Sequence, residues 1–207
     1  MRLTRRPYGA VAVAGVVAVA GVVAAALRRP SPAGQTAPMR AKREPVRPVP
    51  PGPGQESVWD YPRPPRVERS TERLVVRLGG EVVADARTSF RVLETSHPPV
   101  YYLPRSAFAP GALQPADGSS MCEFKGLARY LDVVGGDERA SSAAWWYPTP
   151  WAGFEVLVDH VAVYPGRMDS CEVDGEVVDA QEGDFYGGWV TSRVVGPFKG
   201  APGTLGW

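Results

Sequence analysis

Cysteine and histidine are scarce in this chain of 207 residues, two of each: Cys122 and Cys171, His97 and His160. So few cysteines exclude a disulfide-built scaffold, which packs more of them into a shorter chain. They leave metal chemistry thin as well. The four residues suffice in number for one zinc ion, but none lies within about five residues of another, whereas structural zinc sites draw ligands in close pairs. No metal and no cofactor are expected. A net charge of +1 provides no field that would draw the whole chain to nucleic acid. Its basic excess sits in residues 1–47, where Glu44 is the single acid, and no basic groove is legible in the rest. Catalytic signatures are also missing: no phosphate-cradling Gly-rich loop with Lys-Ser/Thr, no Gly-x-Gly-x-x-Gly, no Gly-x-Ser-x-Gly and no Cys-x-x-Cys.

One long apolar run is present, GAVAVAGVVAVAGVVAAAL at residues 9–27. As a helix it extends roughly 28 Å, close to a bilayer core. Three readings stay open. The run is a membrane anchor, with the positive-inside rule placing the folded domain in the cytoplasm because the Arg and Lys after it outnumber those before. Alternatively it is a cleaved signal, with Arg2, Arg5 and Arg6 leading and Ala24–Ala26 near the cut. On the third reading the protein starts at Met39 and the run is never made. Residues 28–55 are Pro-dense and aperiodic, a disordered or polyproline-like linker on each reading. Any membrane contact depends on residues 9–27.

From residue 56 onward the pattern is that of strands. Leu74, Val76 and Leu78 alternate up to Gly79-Gly80, and Val82-Val83-Ala84 follow, which predicts a hairpin. Strands are expected at 90–93 and 100–103, and a pair at 129–134 and 143–147 around Gly135-Gly136-Asp137. A strand at 158–164 and an Asp174-Gly175 hairpin complete the set. Helix is limited to single turns near Ser106–Ala109 and Ala152–Leu157. Short strands with regular turn signals predict an all-β barrel or sandwich over residues 56–207.

Three segments carry candidate chemistry. Leu93-Glu94-Thr95-Ser96-His97 ends a strand in a Pro-terminated loop, so Glu94 and His97 are candidates for a general acid–base pair. Their bland alternative is Glu94 paired with an Arg and His97 ordering the loop. Cys122 is a candidate nucleophile if Lys125 converges on it, which requires the strand to turn near Gly126. The alternative is a buried, inert thiol. Trp145, Trp146, Tyr147 and Trp151, with Tyr186 and Trp189, are candidate walls for a flat or cationic ligand. Alternation puts Trp145 and Tyr147 on one face and Trp146 on the other.

Several of these segments carry a resemblance. Glu56-Ser57-Val58-Trp59-Asp60-Tyr61-Pro62-Arg63-Pro64-Pro65, Val92-Leu93-Glu94-Thr95 through Tyr101-Tyr102, Cys122-x-x-Lys125-Gly126, Tyr164-Pro165-Gly166-Arg167 and Phe185-Tyr186-Gly187-Gly188-Trp189 resemble actinobacterial members of the uncharacterised bacterial family called domain of unknown function 427. The likeness implies two antiparallel sheets of the β-tent type in a single domain. Similar proteins often open on a short basic, Pro-rich leader, which favours the start at Met39. Fold-level relatives include zinc-bearing domains, whose Cys-x-x-Cys pairs are missing here, and a ligand-binding aromatic cage. The family is sometimes labelled nucleotidyltransferase-like, but neither a Gly-Ser pair with an Asp-x-Asp metal site nor a phosphate loop is present.

The expected function is a small-molecule-binding module whose pocket is lined by Tyr101, Lys125, Trp145, Tyr147, Arg167 and Trp189. A small enzyme using Glu94, His97 and Cys122, with Lys125 or Arg167 stabilising negative charge, is the alternative. A membrane-tethered interaction domain is the third. No nucleic-acid partner is expected.

Overall fold

Alternation in the strands decides the architecture, because each strand sends successive side chains to opposite faces of its sheet. The computed structural model describes residues 45–183 and 185–207. The anchor, signal and late-start readings fall on residues outside that range. Among the described residues no helix is long and apolar enough to cross a membrane. Residues 45–55 have no regular structure, and Val49 N–H donates to the Gly196 carbonyl at 2.8 Å.

Two antiparallel sheets dominate. The larger has seven strands in the order β2-β5-β6-β10-β9-β8-β7. These are β2 (Arg66–Ser70), β5 (Ser89–Leu93), β6 (Val100–Pro104), β7 (Leu113–Cys122), β8 (Gly126–Gly135), β9 (Glu138–Trp146) and β10 (His160–Val163). The smaller runs β12-β11-β3-β4, from β3 (Leu74–Leu78), β4 (Glu81–Ala86), β11 (Ser170–Val173) and β12 (Glu176–Val177). Short pairs finish the fold: β1 (Glu56–Ser57) with β15 (Val194–Val195), parallel, and β13 (Asp179–Ala180) with β14 (Trp189–Val190), antiparallel. The all-β, antiparallel expectation holds, and among the described residues helix is confined to single 3-10 turns at Arg105–Ala107, Glu155–Leu157 and Pro165–Arg167.

Each tight hairpin the turn chemistry predicts is present: β3–β4, β8–β9 and β11–β12. Two strands of the large sheet were not legible in the pattern, β2 and β7, and both are its edges; the two-residue strands β1, β13, β14 and β15 were not expected either. Edge strands are kept polar and irregular, which blunts their open hydrogen-bonding groups. β7 contains Pro115 and Asp117-Gly118, and three of its residues, 116–118, stand opposite the single Tyr130. Such a bulge is where an edge strand accommodates proline.

The large sheet is apolar on both faces. One face packs on the small sheet: Tyr101, Leu103, Val161 and Val163 share a buried cluster with Leu74, Val76, Val83 and Val173. The residues between them, Tyr102, Ala162 and Tyr164, turn the other way and join Trp145, Tyr147, Phe154 and Leu157 in a second cluster. A third, small cluster of Val58, Tyr61, Leu93 and Val194 fastens the first strand to the C-terminal segment.

Fully buried Leu103 lies in the inter-sheet core. Leu103→Ala should lower stability by about 2–5 kcal/mol. Half-exposed Leu127, in the same sheet, should tolerate alanine within about 0.5 kcal/mol. Urea denaturation of both variants checks the assignment of the two positions.

Candidate functional site

The second apolar face is not sealed by another sheet. Over it lies a cavity of about 300 Å³ whose floor includes Val92, Tyr102, Tyr130, Trp145, Tyr147 and Tyr164. Aromatic rings meet there at close range: Trp145 and Tyr164 are 4.4 Å apart between centroids, and Tyr102 lies 6.3 Å from Trp145 and 6.4 Å from Tyr147. Trp145 Nε1–H donates to the Tyr102 hydroxyl at 3.3 Å. Burial holds Tyr102 and Tyr147 far above the ordinary tyrosine value, helped by the Tyr102 phenol at Tyr147 and by the Cys122 thiol at both, and at Tyr102 it outweighs the lowering hydrogen bonds to Trp145 and Tyr147. Burial likewise pushes Tyr164 up to about 12. These phenols therefore stay neutral, offering hydroxyls and no tyrosinate.

Three pieces of chain make the walls. The first is the tip of the β7–β8 hairpin, where Cys122 pairs with Gly126 across a three-residue loop. That reversal is what lets Cys122 and Lys125 face one cavity. Gly126 sits at φ 95°, and a Cβ there would fall 2.9 Å from the Trp151 ring, so only glycine fits the turn. The second is the Glu94–His97 loop after β5. Its shape is fixed by Ser96 N–H to the Val58 carbonyl at 2.9 Å and Lys199 N–H to the Ser96 carbonyl at 2.8 Å. The third is Phe185-Tyr186, brought down over the floor by Gly187, at φ 68°, where a Cβ would meet Trp145 at 2.5 Å. Arg63 and Lys199 complete the rim.

The polar groups are distributed unevenly. Arg63 binds both carboxylates of the cavity, Glu94 and Glu123, and stacks 5.0 Å over Phe124. Glu94 and His97 are linked only through the main chain, His97 N–H to the Glu94 carbonyl at 3.0 Å. The side chain of His97 is held instead by Gln181. Gln181 Oε1 accepts from Gly188 N–H at 3.1 Å, so its amide Nε2 donates to the Lys199 carbonyl at 2.6 Å and to His97 Nδ1 at 3.0 Å. Nδ1 is thus an acceptor, and the neutral ring has its proton on Nε2. Burial, reinforced by the charges of Lys199, Arg63 and Lys125, lowers the imidazole to about 4. Lys199 Nζ donates to the Trp207 main-chain oxygen at 3.0 Å. Lys125 is buried, 8% exposed, and no ion pair or hydrogen bond engages its ammonium among the described residues.

Glu94, His97, Cys122, Lys125, Trp145 and Tyr147 thus line one cavity. Five other candidates do not, Trp146 and Trp151 among them. Tyr101 precedes Tyr102 and so points into the inter-sheet core, where its hydroxyl donates to Glu72 at 2.8 Å and its ring lies 5.3 Å from Trp189. Trp189 is fully buried, with its indole N–H on the Val163 carbonyl at 3.3 Å. Arg167 is exposed and donates to the Ser142 carbonyl at 2.9 Å, touching the site only from behind, 4.7 Å over Tyr164. Arg63, Tyr102, Tyr130, Tyr164 and Lys199 are lining residues that sequence reasoning did not single out. Cys171 is buried in the inter-sheet core and its thiol is raised by that burial, so it and Cys122 are separate free thiols.

The His97 shift has a sign that can be tested. An unfolded histidine, near 6.5, binds a proton that the folded one refuses down to about pH 4. Stability therefore falls as pH is lowered through that window, by up to about 3 kcal/mol. His97→Asn should remove this part of the slope, read as the difference between the two urea-denaturation profiles from pH 7 to pH 4.

The family described as a domain of unknown function, DUF427, matches residues 66–174, from β2 through the Asp174 turn. No curated protein matches the chain. The matched stretch covers more than half of the protein and supplies most of the cavity floor, and on that basis the chain belongs to the DUF427 family.

Proposed function

We propose that the domain is a binding module for a small aromatic molecule held in the cavity on the outer face of the seven-stranded sheet. The observation that carries this reading is the floor itself. Four large aromatic side chains, Tyr102, Trp145, Tyr147 and Tyr164, turn away from the inter-sheet core, and though each is less than a tenth exposed they line the cavity instead of packing under a second sheet. A sheet face this apolar is normally buried against another element. A concave apolar floor with a few convergent polar groups, near the lower end of the usual size range, is the physics of a small-ligand pocket. Electrostatics decides against the cationic ligand that an aromatic cage would suggest. Arg63, Lys125 and Lys199 line the cavity, and its two described carboxylates are both bound to Arg63.

A catalytic reading has one observation in its favour, the Cys122 thiol on the cavity wall. The bases that would take its proton are engaged elsewhere, although Lys125 faces the same cavity. Glu94 is bound by Arg63, His97 Nδ1 by Gln181, and Tyr147 is held protonated. Cys122 should accordingly react with iodoacetamide at the rate of an ordinary accessible thiol or slower. A rate enhanced by orders of magnitude would revive the enzyme.

Binding is tested by titrating the full chain with uncharged and charged one- and two-ring fragments while following tryptophan fluorescence. Saturable binding with Kd on the order of 0.1–1 mM is expected for fragments of that size. Val100→Phe, which places a ring in the cavity it lines, should weaken binding at least about tenfold. No saturable binding, or binding indifferent to Val100→Phe, would contradict the proposal.

A further inference from the structure

We infer that the ligand of this cavity is an aromatic carboxylic acid, its ring seated against Trp145, Tyr102 and Tyr147 and its carboxylate held by Lys125, with the Nε2–H of His97 as a second donor. This rests on the binding-module reading and specifies its ligand class.

Counting donors and acceptors leads there. Lys125 is more than nine-tenths buried, and no carboxylate pairs with it among the described residues. A buried ammonium without a counter-charge is costly, and buried charges are ordinarily paired. Among the described residues, the buried side-chain nitrogens and oxygens that lack a partner are Ser89 Oγ, Arg105 Nε and His160 Nδ1. Lys125 Nζ and His97 Nε2, both without a hydrogen-bond partner among the described residues and both on cavity-lining residues, are therefore open to the cavity and not sealed in protein. Histidine offers only a donor there, because Gln181 is oriented by Gly188 and the Lys199 carbonyl and occupies Nδ1. The phenols remain protonated. Arg63 has already taken both described acids, and Lys199 is turned to Trp207.

The space is thus over-supplied with donors and short of acceptors. An acceptor-only group satisfies it, and a carboxylate is the smallest organic one. One unpaired lysine beside a neutral histidine balances a single negative charge, which favours a carboxylate over a phosphate dianion. A bare inorganic anion would leave the aromatic floor unused. The ligand must carry both parts, and a cavity of about 300 Å³ suits one ring or two fused rings.

The test compares three probes with one ring system: 2-naphthoate, the neutral 2-naphthamide and 2-naphthyl phosphate. Each is titrated by calorimetry into the full-length wild-type chain. The acid should bind at least tenfold tighter than the amide and tighter than the phosphate, and added salt should weaken the two anions while leaving the amide unchanged. Lys125→Met should bring the acid down to the affinity of the amide, and Lys125→Arg should keep most of the preference. Equal affinity for acid and amide in the wild type would overturn the acid reading and leave the binding module standing. The phosphate binding most tightly would overturn the carboxylate assignment. If no probe binds, both readings fall. The wild-type comparison decides between these outcomes even if Lys125→Met does not fold.

Discussion

The seven-stranded sheet has to satisfy two apolar faces at once, and most of the structure follows from how each is covered. Along β6 and β10 the residues alternate: Tyr101, Leu103, Val161 and Val163 enter the inter-sheet core, and Tyr102, Ala162 and Tyr164 leave by the opposite face. The four-stranded sheet covers the first face completely. Only the Phe154–Leu157 turn and a ring of loops reach the second, and the gap they leave is the cavity. A one-residue slip in any of these strands would exchange the two sets and expose the core. The same constraint that holds the fold together therefore also places the aromatic floor.

The loops around that floor are tied down by specific bonds. Ser96, at φ 70°, is a non-glycine residue in left-handed backbone, held by Val58 and by Lys199. Gln181 uses its amide three times, on Gly188, on the Lys199 carbonyl and on His97. Arg63 clamps the loop after β5 to the β7–β8 hairpin by binding one glutamate from each. Among the described residues these bonds occupy the acceptors near the cavity and leave Lys125 without a carboxylate.

Much of this was legible from the residues. Gly79-Gly80, Gly136-Asp137 and Asp174-Gly175 fix hairpins by local turn chemistry, which needs no tertiary information. Trp145 and Tyr147 share the cavity face because they are two residues apart in an extended segment. By contrast, Tyr101 and Tyr102 are chemically alike, and which one faces the core depends on strand register, a long-range property. The expectation therefore settled on Tyr101, where the cavity uses Tyr102. Trp189 reads as a pocket wall from composition, but its ring fills the inter-sheet core. Edge strand β7 was hidden because an edge tolerates the proline, the Asp-Gly and the bulge that mimic a loop. Arg63 and Lys199 reach the site from segments distant in sequence, and no spacing rule could have joined them to Glu94 or His97.

The most direct test of the central claim is a crystal structure of the protein grown with saturating 2-naphthoate. Density for the ring against Trp145 and Tyr147, with the carboxylate about 2.7–3 Å from Lys125 Nζ, is the predicted result. A cavity filled by water or by a rearranged side chain, with the probe bound elsewhere or not at all, would contradict it.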